Sequence, residues 1–130
     1  MLILVVFFFY NCNSKIDKNQ IIGHWKVVEF NSNTPELSPN LIEGAKMEAL
    51  SSNYFFQKDK IFKMKSNYNS NGKSGKFEFV SKKRTIRMHY NVGNKNDIEE
   101  YQIESLDDNF MKWTQNLGDL GSLSMILKKE

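Results

Sequence analysis

The chain has 130 residues, 40% hydrophobic and 25% charged, which is enough for one domain with a substantial core and too little for two. Its single cysteine excludes an intrachain disulfide and a multi-cysteine metal site, and ten Phe, five Tyr and two Trp against two Pro exclude a disordered composition. A net charge of +3, from 18 Lys and Arg against 15 Asp and Glu, is too mild to mark a nucleic-acid binder.

The first segment is Leu2 to Tyr10, an unbroken apolar run ending just before Asn11 and Cys12. As a helix it would rise roughly 14 Å, less than half of the about 30 Å of a bilayer's hydrocarbon. It is therefore too short to span, and it fits the apolar region of a secretory signal peptide. An apolar run followed by a cysteine resembles a bacterial lipoprotein signal. That resemblance implies that residues 1–11 are removed and that the Cys12 sulfur carries the lipid. Residues 12–20, polar for the most part, then read as a tether, and residues 21–130 as the folded domain. The implied location is the cell envelope, with attachment to the outer membrane.

From residue 21 onward the apolar spacing is mostly two, the period of half-buried strands. Ile22 to Phe30 holds Trp25, Val27 and Val28, and Tyr54 to Gln57 is aromatic-rich. Phe62 and Met64 alternate with Lys63 and Lys65, and Phe77 and Phe79 flank Glu78. Met88 and Tyr90 alternate with Arg87 and His89, and Tyr101 and Ile103 with Glu100 and Gln102. Met111 and Trp113 flank Lys112, and Leu123, Met125 and Leu127 close the series. Turn chemistry separates these runs at 58–60, 69–72, 81–83, 91–94, 107–109 and 116–119. The pattern predicts an all-β fold, an eight-stranded antiparallel up-and-down β-barrel, since closure removes the pairing edges of so aromatic a sheet.

Residues 31–52 form a longer connection between the first two strands. Ser38 before Pro39 supplies an N-cap and a first-turn proline, and Leu41, Ile42, Ala45, Ala49 and Leu50 recur at roughly helical spacing. The spacing predicts one short helix over 39–51, lying across one end of the barrel.

Gly23-His24-Trp25 opening the first strand, seven further strands in meander order and the leader together resemble the lipocalin-like domains of bacterial envelope lipoproteins, within the calycin group. The resemblance covers residues 17–129. It implies that Gly23 bends the chain into the strand and that Trp25 plugs the closed end of the barrel. In the lipocalins proper an arginine late in the chain packs across that tryptophan. The arginines here are Arg84 and Arg87, in mid-chain, which leaves Lys112 or Lys128 to take the place. The Arg-x-Tyr pair by which fatty-acid-binding relatives hold a carboxylate is absent.

A catalytic constellation is hard to assemble from these residues. His24 and His89 stand without a partner at meaningful spacing, and Glu99 and Glu100, adjacent on a strand, point to opposite faces. No glycine-rich phosphate loop, metal-ligand spacing or cofactor motif is present. The inward set Phe62, Met64, Phe77, Phe79, Met88, Tyr90, Tyr101 and Trp113, with Met125, has two readings. These residues either line a pocket for a small hydrophobic or amphipathic ligand, oriented by the tyrosine hydroxyls, or they fill an eight-stranded barrel whose interior is only just wide enough for side chains.

Charge is segregated along the chain. Residues 58–87 hold ten basic and two acidic side chains, and residues 97–108 hold six acidic and no basic ones. The lysines either solvate and blunt the strands or form a basic face for an acidic partner or anionic lipid headgroups. The expectation is a non-enzymatic, tethered ligand-binding barrel. The alternative is an envelope interaction or inhibitor protein, with a filled barrel that meets a protein partner through loops or charged faces. Nucleic acid is not an expected partner.

Overall fold

Alternating apolar and polar residues resolve into eight strands: β1 (Gly23–Asn33), β2 (Asn53–Phe56), β3 (Ile61–Ser66), β4 (Asn69–Val80), β5 (Thr85–Val92), β6 (Lys95–Leu106), β7 (Phe110–Asn116) and β8 (Ser122–Lys129). The computed structural model describes residues 16–92 and 95–130. The leader 1–11, Cys12 and the Gly93-Asn94 part of an expected turn lie outside the described residues. Each strand pairs antiparallel with its neighbour in sequence, and β8 returns to β1, so the sheet is a closed up-and-down barrel without a free edge. The helix α1 (Pro39–Leu50) joins β1 to β2, with the Ser38 hydroxyl accepting from the Leu41 N–H at its N-cap. Barrel, strand count and helix match the reading of the sequence, and the architecture is consistent with a lipocalin-like fold.

Burial follows the alternation. Trp25, Phe62, Ile86, Met88, Met111, Trp113 and Leu127 are fully enclosed. One irregularity explains a sequence feature that simple alternation does not. Val27 pairs with Leu127 and Glu29 with Ile126, so Val28 is an extra residue in β1. This bulge lets both Val27 and Phe30 face inward, three residues apart, while Val28 is left 44% exposed.

The turn expected at 69–72 lies elsewhere. Asn69 to Gly72 belong to β4, and the chain reverses at Asn67-Tyr68. A register shift between Met64 and Ser66 accommodates the change, with Gly72 at φ +75° opposite it. The Asn-Gly-rich composition here marks that irregularity in the hairpin rather than its tip.

The barrel has two unlike ends. At one, a 3-10 turn (Lys18–Gln20), capped at its N-terminus by the Asp17 side chain accepting from the Asn19 N–H and the Gln20 side chain accepting from the Asp17 N–H, seats Ile21 over Trp25. The Trp25 indole N–H donates to the Ile21 carbonyl at 2.8 Å. Residues 16–20, assigned to the tether from sequence, are thus part of the folded domain, with Ile16 packed against the core. Gly23 has φ +139°, and a Cβ there would stand 2.9 Å from Lys129 Cε. The cation across Trp25 is Lys129, its Nζ 5.4 Å from the ring centroid, and neither Lys112 nor Lys128. The register explains the correction, because Lys129 is the residue of β8 directly opposite Trp25. At the other end, α1 and the β3–β4 and β7–β8 turns surround the mouth.

Candidate functional site

Aromatic rings pack closely through the middle of the barrel. Tyr101 stacks on Trp113 with centroids 4.4 Å apart, and Tyr54 meets Trp113 edge-on at 5.0 Å. Phe56 meets Phe77 edge-on at 5.0 Å, and Phe62 meets Tyr90 edge-on at 4.9 Å. These rings fill the section between the Trp25 plug and the mouth, as the volume of an eight-stranded barrel favours.

Above them, beneath α1, lies a cup of about 190 Å³. Its floor is made by the hydroxyl ends of Tyr54, Tyr90 and Tyr101, and Glu99, Lys73 and Glu48 reach it from β6, β4 and α1. The strand period explains this set. Glu99 shares its face with Tyr101 and Ile103, and Lys73 is the cross-strand neighbour of Met64. The same alternation sends Glu100 outward, where Arg87 binds it at 2.8 Å.

Two of the phenols converge on Glu99. Tyr101 donates to Glu99 Oε2 at 2.7 Å, and Tyr90 donates to the same oxygen at 3.1 Å. Lys73 Nζ lies 5.6 Å from the centre of the Tyr90 ring. Burial pushes all three phenols well above the ordinary tyrosine value, and the Glu99 charge adds to it. The phenols are therefore held protonated, and those of Tyr90 and Tyr101 donate to Glu99. The cup thus gathers the oxygens of three phenols, Glu99 and Glu48, with the Lys73 ammonium beside them. Among the described residues Glu99 has no ion-pair partner.

The residues singled out from sequence divide between floor and fill. Met64, Tyr90, Tyr101 and Met125 line the cup, while Phe62, Met88 and Trp113 lie buried in the barrel interior. Phe77 and the partly buried Phe79 border a separate groove at the closed end. Sequence reasoning missed Tyr54, Lys73, Glu48 and Glu99. For Glu99 the signal was present, since it stands two residues before Tyr101 on the same face. For Glu48 only the docking of α1 reveals the placement. The histidines stand apart from the cup: His24 Nε2 bonds Asn53 Oδ1 at 2.8 Å, and His89 lies outward, 3.6 Å from Glu78. No group of three His, Cys, Asp or Glu able to hold a metal occurs among the described residues. Comparison with protein-family models, with curated proteins and with solved structures gives no match.

Proposed function

We propose that the chain is a non-enzymatic, lipocalin-like lipoprotein of the bacterial cell envelope, anchored through Cys12 to the outer membrane. On this reading it takes the head of a small amphipathic ligand into the cup at its mouth. The observation that carries the reading is the convergence of the buried Tyr90 and Tyr101 phenols on Glu99, beside Tyr54, beneath an open depression. A carboxylate preorganised by phenol donors, over a rigid aromatic floor, suits a donor-bearing head group. Size narrows the ligand further. At about 30 Å³ per water, the cup has room for roughly six water-sized groups, so only a head enters and the remainder lies along the rim. The exposed Leu41, Met47 and Leu50 of α1 and Tyr68 of the β3–β4 turn supply apolar surface around that rim. The N-terminal lead-in supports the anchoring, because it joins the barrel at the closed end and so leaves the mouth facing away from a tethering membrane.

The same exposed side chains favour a second reading, a protein partner docked on the rim of a solid barrel. Native mass spectrometry of the protein purified from its host separates the two. A retained small molecule, with retention falling about tenfold or more in Glu99→Gln, is expected from loss of a charge-assisted hydrogen bond. A co-purifying protein with no small molecule would overturn the cup reading. For the anchor, Cys12→Ala is expected to move the protein from the membrane to the soluble fraction, and unchanged membrane association would exclude it.

A further inference from the structure

A second depression, larger than the cup, lies at the opposite end of the barrel. It measures about 450 Å³ and is walled by Lys18 of the N-terminal 3-10 turn, Lys58 and Lys60 of the β2–β3 turn, and Glu78 of β4. Ile22, Phe77 and Phe79 give it an apolar floor. Its volume falls within the roughly 300–1,000 Å³ of small-molecule sites, whereas the cup falls below it.

The nearby acids are committed locally. Glu78 Oε1 is held by Arg87 at 2.9 Å, with His89 at 3.6 Å. Asp59 Oδ1 accepts from the Ile61 N–H, and Asp17 Oδ1 accepts from the Asn19 N–H. Among the described residues, Lys18, Lys58 and Lys60 have no carboxylate within ion-pair distance. Three lysines outside ion-pair distance of a carboxylate, against the single Glu78 in the same wall, over an apolar floor suit an anionic head with an apolar tail. The β2–β3 turn is fixed over this floor, since the Phe77 N–H donates to the Lys60 carbonyl at 2.8 Å. Lys60 itself adopts φ +66°, a conformation that costs a non-glycine residue energy.

We infer that this groove binds the headgroup of an anionic phospholipid, the phosphate between Lys18, Lys58 and Lys60 and the first acyl carbons over Phe79 and Ile22. The choice of a membrane lipid rests on the Cys12 anchor, while the groove does not. Ile16 stands four chain steps beyond Cys12, a span of at most about 14 Å at about 3.5 Å per step. A lipid on Cys12 therefore keeps the closed end close to the headgroups, near the roughly 10 Å over which a surface charge is felt. A groove of this size holds about fifteen water-sized groups, which suits a phosphoglycerol head and a short length of chain.

The test uses the full chain, isotope-labelled, titrated below micelle concentration with dihexanoyl phosphatidylglycerol, dihexanoyl phosphatidylcholine or inorganic phosphate. The expected result is saturable amide shifts at Ile22, Phe77 and Phe79 with the phosphatidylglycerol, and much weaker ones with the other two. Changing Lys58→Gln with Lys60→Asn, the latter because Asn tolerates positive φ, removes about 1 kcal/mol per lysine and should weaken binding about thirtyfold. Equal shifts with the zwitterionic lipid, equal binding of phosphate alone, or shifts outside the groove would each overturn the inference. Because these probes are read at the groove amides, failure here is distinct from failure of the anchor, which membrane fractionation of Cys12→Ala reports.

Discussion

Two tryptophans, both fully buried, show how one residue type carries different energetics in one barrel. The Trp25 indole N–H bonds the Ile21 carbonyl, whereas the Trp113 indole N–H is buried with no hydrogen-bond partner among the described residues. A buried donor without a partner costs about 1–3 kcal/mol of desolvation, while a satisfied one leaves an orphaned acceptor behind when it is removed. The two replacements Trp25→Phe and Trp113→Phe delete similar volume from the core. Their stability costs should nevertheless differ, with Trp25→Phe the more destabilising by about 1–2 kcal/mol. Urea unfolding of the two variants measures the difference, and equal midpoints would show that the N–H partners are energetically silent. The Trp25 variant also exposes the Lys129 ammonium to a weaker aromatic face.

At the scale of the element, α1 and the strands are stabilised by different means, and this decided what the sequence could reveal. The strands are held by burial on one face, so their alternation is written into the residues and Phe62-Lys63-Met64 or Tyr101-Gln102-Ile103 can be read directly. Where a strand carries an irregularity the alternation misleads. Val28 looked like core and is a bulge, and Asn69 to Gly72 looked like a turn and are strand. The cup was half legible: Tyr90, Tyr101, Met64 and Met125 follow from periodicity, but Glu48 reaches it only through the docking of a helix. That helix was found from its cap and proline together with the spacing of Leu41, Ile42, Ala45, Ala49 and Leu50. It buries only Ala49 fully and leaves Leu41 and Met47 more than half exposed. A helix with so little burial depends on local terms. Ser38→Ala, which removes the cap to Leu41, should cost α1 about 1 kcal/mol and barely lower the melting temperature of the barrel. Hydrogen exchange checks this: amides of 41–46 should exchange about fivefold faster while those of β5 and β6 stay protected. Matching acceleration in the strands would mean that helix and barrel open as one unit.

Across the whole molecule, closure and the tyrosine cluster are linked. The phenols of Tyr54, Tyr90 and Tyr101 remain protonated because burial and Glu99 disfavour their charge, and both conditions exist only while β1 and β8 stay paired and the rings stay enclosed. In the unfolded chain the same phenols ionise near pH 10. Above that pH the unfolded state binds fewer protons than the folded state, so stability falls as pH rises; below it the two states hold the same tyrosine protons and this contribution is fully present. Three groups acting together give a slope of about 4 kcal/mol per pH unit, enough to exhaust the usual margin of a domain within two to three units. Alkaline unfolding should therefore be cooperative and simultaneous with ionisation of these three phenols. Absorbance at the phenolate band and far-ultraviolet circular dichroism, followed together from neutral to strongly alkaline pH, should show Tyr54, Tyr90 and Tyr101 ionising only as the strands are lost. Tyr101→Phe removes one of the three protons, so its stability should fall by about one third less per pH unit above pH 10. Ionisation of all three phenols with the barrel intact would mean that water reaches the floor of the cup freely, and would remove the enclosed, preorganised head-group site along with the slope.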